Sequence, residues 1–451
     1  MSPEVQLADF VCSLQARDVP AEGQRIVRLV GMAALGSGIA GAGEDGIEAL
    51  RALLRERGGA PQATSLAFGD KLPAASAAQL NGTMCRALDY CDAMAPGIHI
   101  GSSLFPAALA AAELAGGCSG AEFLAALAAG AELSSRFNLG ESQYDGFDPT
   151  GIAVVFAPTA AAARILKLTP RQTLHALALA FNRCGGSFQS NIDGSLAVRA
   201  IQGWVAETGV VCAQMAQHGF TGPHQFLTGL YGYGHLYGRG RLDAQALVAG
   251  LGREWRLLKM MFKKYPSCGA TQGMTELVLQ AVHELDLRPE QVASVQVRQP
   301  PYSFKLVGQP WRIGENPRVD AQFSAQYCVA NAIVRRSSKL AHFRPEHIVD
   351  AQVQQLIPRV RVEGAPDMNP RGHTAVDVRI QTTAGRVFER GLDIAPGFPG
   401  NDLSDAQQQA RFDDCMAYAP RPLTQVPALL EALRGLDRLA DARELMGLMV
   451  S

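Results

Sequence analysis

Between about residue 100 and residue 219 the chain is a succession of alanine- and leucine-rich segments, and that succession limits the fold more than any other feature. Segments 105–117 (FPAALAAAELAGG), 121–137 (AEFLAALAAGAELSSRF) and 153–168 (AVVFAPTAAAARILKL) are built from the strongest helix formers. Glycine or proline punctuates them. Segment 169–181 (TPRQTLHALALAF) adds a threonine cap with proline at the first helical position, and 203–219 closes on a glycine. So many small side chains predict helices packed closely against one another. After about Pro266 the texture changes. Segments 292–300 (VASVQVRQP), 358–364 (PRVRVEG) and 374–391 (TAVDVRIQTTAGRVFERG) alternate with the period of two expected of strands, with TTAG as a hairpin turn. Helical patterns lie between them, notably at 320–337, and the tail (403–418, 427–449) returns to helix. The expected fold is mainly α with an α+β second domain. Residues 1–262 with 405–451 form the large all-helical domain, and residues 263–404 the smaller α+β domain.

A chain of 451 residues is long for one core, which agrees with two domains. A formal net charge of -1 gives no electrostatic case for nucleic acid or an anionic membrane as partner. A small anionic substrate needs only a local cluster of cations. The N-terminal stretch carries acids and lacks an apolar core, so no secretory signal is expected there. Glu, Arg, Gln or Gly interrupts the alanine-rich stretches, so no membrane span is expected either. Nine cysteines, an odd number scattered from Cys12 to Cys415, suit reduced thiols in the cytoplasm better than a disulfide framework.

Four stretches could carry chemistry. GSGIAG (36–41) spells a dinucleotide fingerprint, but the segment before it reads as helix and no second strand follows, so a flexible loop between helices is expected. GLYGYGHLYGRG (229–240) lacks the Lys-Ser/Thr of a phosphate-binding loop and reads as turns. NGTMCRALDYCDAMAPGIHIGSS (81–103) packs Cys85, Asp89, Cys91, Asp92 and His99 together, yet without the paired spacing of a zinc site or a Cys-x-x-Cys redox pair. No metal is expected. Asp89 and Asp92, three apart, would face the same way on a helical turn. His99 would sit beside the positive end of a serine-capped helix, where a carboxylate ligand is stabilised. An acid–base site and a merely capping loop both remain open on this stretch alone. MMFKKYPSCGATQG (260–273) places Lys263, Lys264, Tyr265 and Cys268 at the change of texture, where lysines could bind carboxylates or simply be solvated.

Together these stretches resemble the MmgE/PrpD family, which includes 2-methylcitrate dehydratases, cis-aconitate decarboxylases and iminodisuccinate epimerases. The resemblance rests on Asn81-Gly82, Leu88-Asp89-Tyr90-Cys91-Asp92, His99-Ile100-Gly101-Ser102 and Pro106-Ala107, then on Lys263-Lys264-Tyr265-Pro266-Ser267-Cys268. HGFTGP (218–223), DAQFSAQYCVA (320–330) and PGFPGNDLS (396–404) extend it in order over nearly the whole chain. It implies a large helical domain with a smaller α+β lid, a homodimer, no metal or organic cofactor, and proton transfer next to a carboxylate. It also implies Asp89 and His99 as acid–base residues, Lys263 as a carboxylate holder and Tyr327 as a pocket hydroxyl.

The departures from the family pattern narrow this. Asp148-Pro149-Thr150 stands where His-Pro-Thr is frequent, so Asp148 would replace a histidine as proton acceptor. Val198, with Arg199 beside it, falls where decarboxylases carry lysine. Ala93 replaces a threonine, Gln272 a histidine, Cys91 an aspartate, and decarboxylases carry histidine in place of Cys268. Decarboxylation of cis-aconitate is thereby disfavoured. The expected activity is a cofactor-independent hydro-lyase for a small di- or tricarboxylate. His99, Asp89, Asp148 and Tyr327 would be catalytic; Lys263, Arg199, Asp92, Cys268 and Gln272 would bind substrate. The alternatives are an epimerase or isomerase of a dicarboxylate and a catalytically degenerate carboxylate-binding homologue.

Overall fold

A computed structural model describes residues 1–450, the side chains of Glu141 and Ser142 excepted. The protein is mainly helical with a smaller α+β part. Two compact units divide the chain: Met1–Met260 with Cys415–Ser451, and Met261–Asp414.

The first unit is helical. Its main elements are α1 (Pro3–Ser13), α2 (Ala21–Ala40), α3 (Ile47–Arg57), α4 (Ala74–Arg86), α5 (Gly101–Leu114), α6 (Gly120–Phe137), α7 (Phe156–Ile165), α8 (Pro170–Phe181) and α9 (Ala197–Gln217). The expected cap of α8 is present, with Thr169 Oγ1 accepting from Gln172 N at 3.3 Å. The alanines do what their size predicts: α4, α5, α7 and α9 bury Ala77, Ala78, Ala107, Ala108, Ala160, Ala161, Ala206 and Ala213 completely. Glycine permits still closer approach. A Cβ on Gly82 of α4 would meet the Gln202 carbonyl of α9 at 2.9 Å, and one on Gly203 of α9 would strike the Gln79 carbonyl of α4.

The same logic overturns the loop expected at 36–41. Gly36 to Ala40 continue α2, because Gly38 lies against Cys85 and Gly41 against the Met84 carbonyl, where added Cβ atoms would come within 2.7 and 2.5 Å. These glycines mark a helix–helix crossing. Residues Ala21–Gly43 are also long and apolar enough to cross a bilayer, against the expectation that no stretch is, but 89 % of that window is buried inside the protein. Most of the apolarity therefore serves a core.

A fully buried ion pair locks the end of this unit's first segment. Glu132 accepts from Arg136 Nε at 2.6 Å and from Arg256 N and Leu257 N at 3.1 and 3.0 Å. Arg136 donates to the Leu247, Ala249 and Glu254 carbonyls. The tail then returns: Arg28 pairs with Asp437 at 2.7 Å, Ala442 N donates to the Cys118 carbonyl, and Ala67 N to the Met449 carbonyl.

The second unit carries β1 (Val292–Gln299), β2 (Val360–Gly364), β3 (Val376–Thr382) and β4 (Val387–Leu392) in the order β2-β1-β3-β4. β1 and β2 run parallel, while β1–β3 and β3–β4 are antiparallel. The TTAG hairpin forms, with Gly385 at φ 81 donating to the Thr382 carbonyl. Helices α10 (Gln272–Glu284) and α11 (Ala325–Arg335) bury Leu277, Val278, Ala330 and Ile333 with Val295, Val297, Val378 and Ile380 of the sheet in one core. The helix expected over 320–337 is broken at Ser324, whose hydroxyl caps α11 by accepting from Tyr327 N.

Candidate active site

Segment 81–103 folds as four pieces. Asn81, buried on α4, accepts from Leu66 N at 2.8 Å and donates to the Thr64 carbonyl at 3.0 Å, which anchors the helix. The helix stops at Arg86 because the next charged residue captures it. Arg86 ion-pairs with Asp89, both side chains are 8 % exposed, and Asp89 takes a left-handed φ of 50, which aspartate tolerates better than most residues. The expectation that Asp89 and Asp92 share one helical face is thus wrong. Asp92 lies in an extended pair with Ala93 and turns its carboxylate to the start of α5.

There Asp92 Oδ2 accepts from Ile100 N at 3.0 Å, and both oxygens accept from Gly101 N at 3.1 and 3.0 Å. The positive helix end expected to receive a ligand carboxylate therefore holds the protein's own, and Asp92, completely buried, is an architectural cap rather than a substrate binder. Gly101 is required for this: a Cβ there would collide with Asp92 Oδ1 and lie 2.5 Å from Val30. The expected serine caps are absent. Ser102 and Ser103 sit inside α5 and donate to the Cys85 and Gln202 carbonyls at 3.2 and 2.9 Å.

His99 is half-buried and is delivered by a short loop. Met94 and Ile98 exchange two backbone hydrogen bonds, and Asn138 Nδ2 holds the Ala95 carbonyl at 2.7 Å. His99 Nδ1 lies 2.8 Å from the Asp92 carbonyl oxygen and 3.5 Å from Cys91 Sγ. A carbonyl can only accept, so Nδ1 carries the hydrogen and the neutral ring keeps its lone pair on Nε2. A backbone group therefore sets the tautomer suited to a base.

Asp148 belongs to the same unit. Its Oδ1 accepts from Thr150 N and Gly151 N at 2.9 and 3.3 Å, at the start of a π-helical turn, Thr150–Val154. Burial pushes its carboxyl up from the usual range, opposed by those N–H groups and by Arg86. Burial disfavours the charge on Arg86, but Asp89, Cys91 and Asp148 hold its pKa raised. Gln202, completely buried, donates to Thr150 Oγ1 at 3.0 Å and meets the Ser103 hydroxyl, tying the Asp148 turn to α5. Arg86 and Gln202 stand beside the residues expected from the motifs. The i,i+3 spacing of Arg86 and Asp89 was a usable signal; Gln202 offered none. Arg199, on the first turn of α9, donates to the Asp45 carbonyl at 2.8 Å.

The second unit holds the remaining expected residues. Lys263 is buried, and its carbonyl accepts from Arg411 Nε. Lys264 and the Tyr265 hydroxyl both reach Glu276 Oε2 at 2.6 Å. Gln272, expected to bind substrate, is instead the clamp of the Tyr-Pro-Ser-Cys turn. It accepts from Tyr265 N at 2.9 Å and donates to the Tyr265, Ser267 and Cys268 carbonyls at 3.0, 3.1 and 3.3 Å, so both ends of its amide are engaged by the turn. Cys268 is buried, its N–H bound to the Gln322 carbonyl. Tyr327, expected as a pocket hydroxyl, is completely buried, stacks on Trp311 at 5.4 Å and donates to the His342 carbonyl. Burial raises its pKa far above the phenol range. It is a packing residue here. Among the described residues no group of three His, Cys, Asp or Glu side chains has the arrangement of a metal site.

Residues 5–245 match the family model of the MmgE/PrpD N-terminal domain, and residues 265–425 that of the MmgE/PrpD C-terminal domain. A cis-aconitate decarboxylase-like protein of Aspergillus oryzae is 22 % identical over 475 residues, covering 98 % of this chain and 96 % of the relative. Cis-aconitate decarboxylase of Homo sapiens is 24 % identical over 396 residues, covering 84 % and 80 %. That of Aspergillus terreus is 26 % identical over 423 residues, covering 85 % and 83 %.

Proposed function

The chain belongs to the MmgE/PrpD family, and from that premise we propose that it is a lyase acting on a small di- or tricarboxylate without a metal or organic cofactor. The observation that carries the reading is His99. It is half-buried, its Nδ1–H is fixed on the Asp92 carbonyl, and the basic lone pair is left on Nε2. A histidine so prepared is a fit general base for a proton on carbon next to a carboxylate. Our finer proposal is elimination of water. His99 Nε2 takes the proton, the electron pair forms the carbon–carbon double bond, and the hydroxyl on the adjacent carbon leaves with a proton from Asp148. The raised pKa of Asp148 supports that role of donor, rather than the acceptor first expected. Arg199 is proposed to bind a substrate carboxylate; Lys263 and Cys268, in the second unit, stay substrate-binding candidates on their motif alone. Arg presents a planar fork and Lys a compact charge for this purpose.

A second reading, decarboxylation, is favoured by the names of the relatives. Cys268 and Val198 stand against it, because the resemblance puts histidine and lysine there in decarboxylases. One assay separates the readings: purified protein with citrate, 2-methylcitrate or cis-aconitate, followed for new alkene, for carbon dioxide and for solvent deuterium in recovered substrate. Alkene without carbon dioxide supports the hydro-lyase, carbon dioxide the decarboxylase, and deuterium alone an epimerase. His99→Ala should lower kcat/KM by about 10²-fold or more. Unchanged turnover removes His99 from the mechanism.

A further inference from the structure

One buried cation in the helical unit serves two buried carboxylates, and only one of them touches it. Arg86 is the last residue of α4; among the described residues Asp89 is its hydrogen-bond partner, and each side chain is 8 % exposed. The left-handed turn at Asp89 bends the chain back so that the carboxylate meets the guanidinium three residues earlier. Asp148 has no ion-pair partner among the described residues; its Oδ1 is committed to Thr150 N and Gly151 N. Among the described residues, Cys91 lies beside Arg86, His99 and Cys85 beside Cys91, Asp92 beside Cys85, and Tyr144 beside Asp148.

We infer that Arg86 is a positioning residue that divides the work between the two aspartates, fixing Asp89 as a permanent anion and leaving Asp148 as the carboxyl that carries a proton. A carboxylate in contact with a buried cation is compensated, whereas a second one that the cation favours only from a distance is compensated less and, being buried, keeps its proton more readily. The upward displacement of Asp148 by burial accords with this. The catalytic meaning rests on the proton-transfer reading proposed above; the charge assignment does not.

The test uses the full chain with 13C-labelled aspartate carboxyls, assigned through Asp89→Asn and Asp148→Asn. In the wild type, Asp89 should stay ionised to the lowest pH at which the native spectrum persists, and Asp148 should titrate above it. In Arg86→Met, the Asp89 midpoint should rise by about one to three pH units into the native range. Arg86→Lys should recover part of that rise, because the charge returns without the fork. A native Arg86→Met in which Asp89 titrates as in the wild type overturns the inference. So does a wild type in which Asp89 takes its proton before Asp148, which decides the matter even if Arg86→Met does not fold. The activity arm is separate: Arg86→Lys should shift the pH profile of kcat more than it changes KM. A wild type that turns over no carboxylate defeats the proposed function and leaves the titration result standing.

Discussion

Adding one methyl group at Gly101 should disable the start of α5 and disturb His99 at once. The new Cβ would strike Asp92 Oδ1 and lie 2.5 Å from Val30 Cγ1, both well inside the separations that carbon tolerates. Val30 is buried on α2, so neither neighbour can give way freely. Forced relief of such an overlap costs about 1–3 kcal/mol. If Asp92 moves aside, the cap it makes with Ile100 N and Gly101 N weakens, which adds about 0.5–2 kcal/mol. Gly101→Ala is therefore expected to lose about 1.5–5 kcal/mol, read as a lowered midpoint of the first urea-unfolding transition. The same displacement moves the Asp92 carbonyl that holds His99 Nδ1, so the imidazole nitrogen signals of His99 should report a mixture of tautomers. The decisive control is the double variant with Asp92→Ala. Once the carboxylate is gone, Gly101→Ala should cost visibly less, and the two changes should not add. Full additivity, or an unchanged midpoint with His99 still a single tautomer, refutes the reasoning.

Three further outcomes are expected. Arg136→Met should cost about 3–5 kcal/mol in chemical denaturation, because it strands a buried Glu132 carboxylate and three carbonyls. His342 has its pKa lowered to about 4 by burial and by Arg335, and its Nδ1 accepts from Lys339 N at 3.2 Å. The unfolded chain takes that proton first, so stability is present above about pH 6.5 and is lost as the pH falls toward 4. Partial exposure limits the loss to about 1–2 kcal/mol, and His342→Gln should flatten the dependence between pH 7 and 5. Finally, we propose that the protein is a homodimer: Ile192, Phe220, Leu230 and Tyr231 are 71, 60, 77 and 73 % exposed, and sedimentation should return twice 48.0 kDa, a monomer at micromolar concentration refuting it.

Periodicity made most elements readable before any coordinates, since apolar residues repeating every three or four positions, or every second one, have few other solutions. Glycine was the weak point. In 36–41 the same residue that signals a loop also permits two helices to touch, and only the identity of the neighbour, Cys85 or the Met84 carbonyl, tells the two apart. Spacing misled at Asp89 and Asp92 because it presumed a helix that the Arg86–Asp89 pair ends. The motif located Gln272 and Tyr327 but not where their hydrogen bonds go, and both are spent on backbone carbonyls. Gln202 joins Ser103 to Thr150 from distant positions in the chain, so no local pattern announces it.

The returning tail has a consequence for synthesis. The helix Val426–Arg434 covers α2, with Leu433 completely buried close to Gly31, and Asp437 neutralises Arg28. Translation must therefore produce all of Met261–Asp414 before the helical unit receives its last cover. At about 5–20 residues per second, the nearly 400 residues between α2 and that helix leave an apolar face of α2 waiting for roughly 20 to 80 seconds. During that interval the part of α2 that Leu433 later covers stays open, and any slowing of translation through the inserted segment lengthens it.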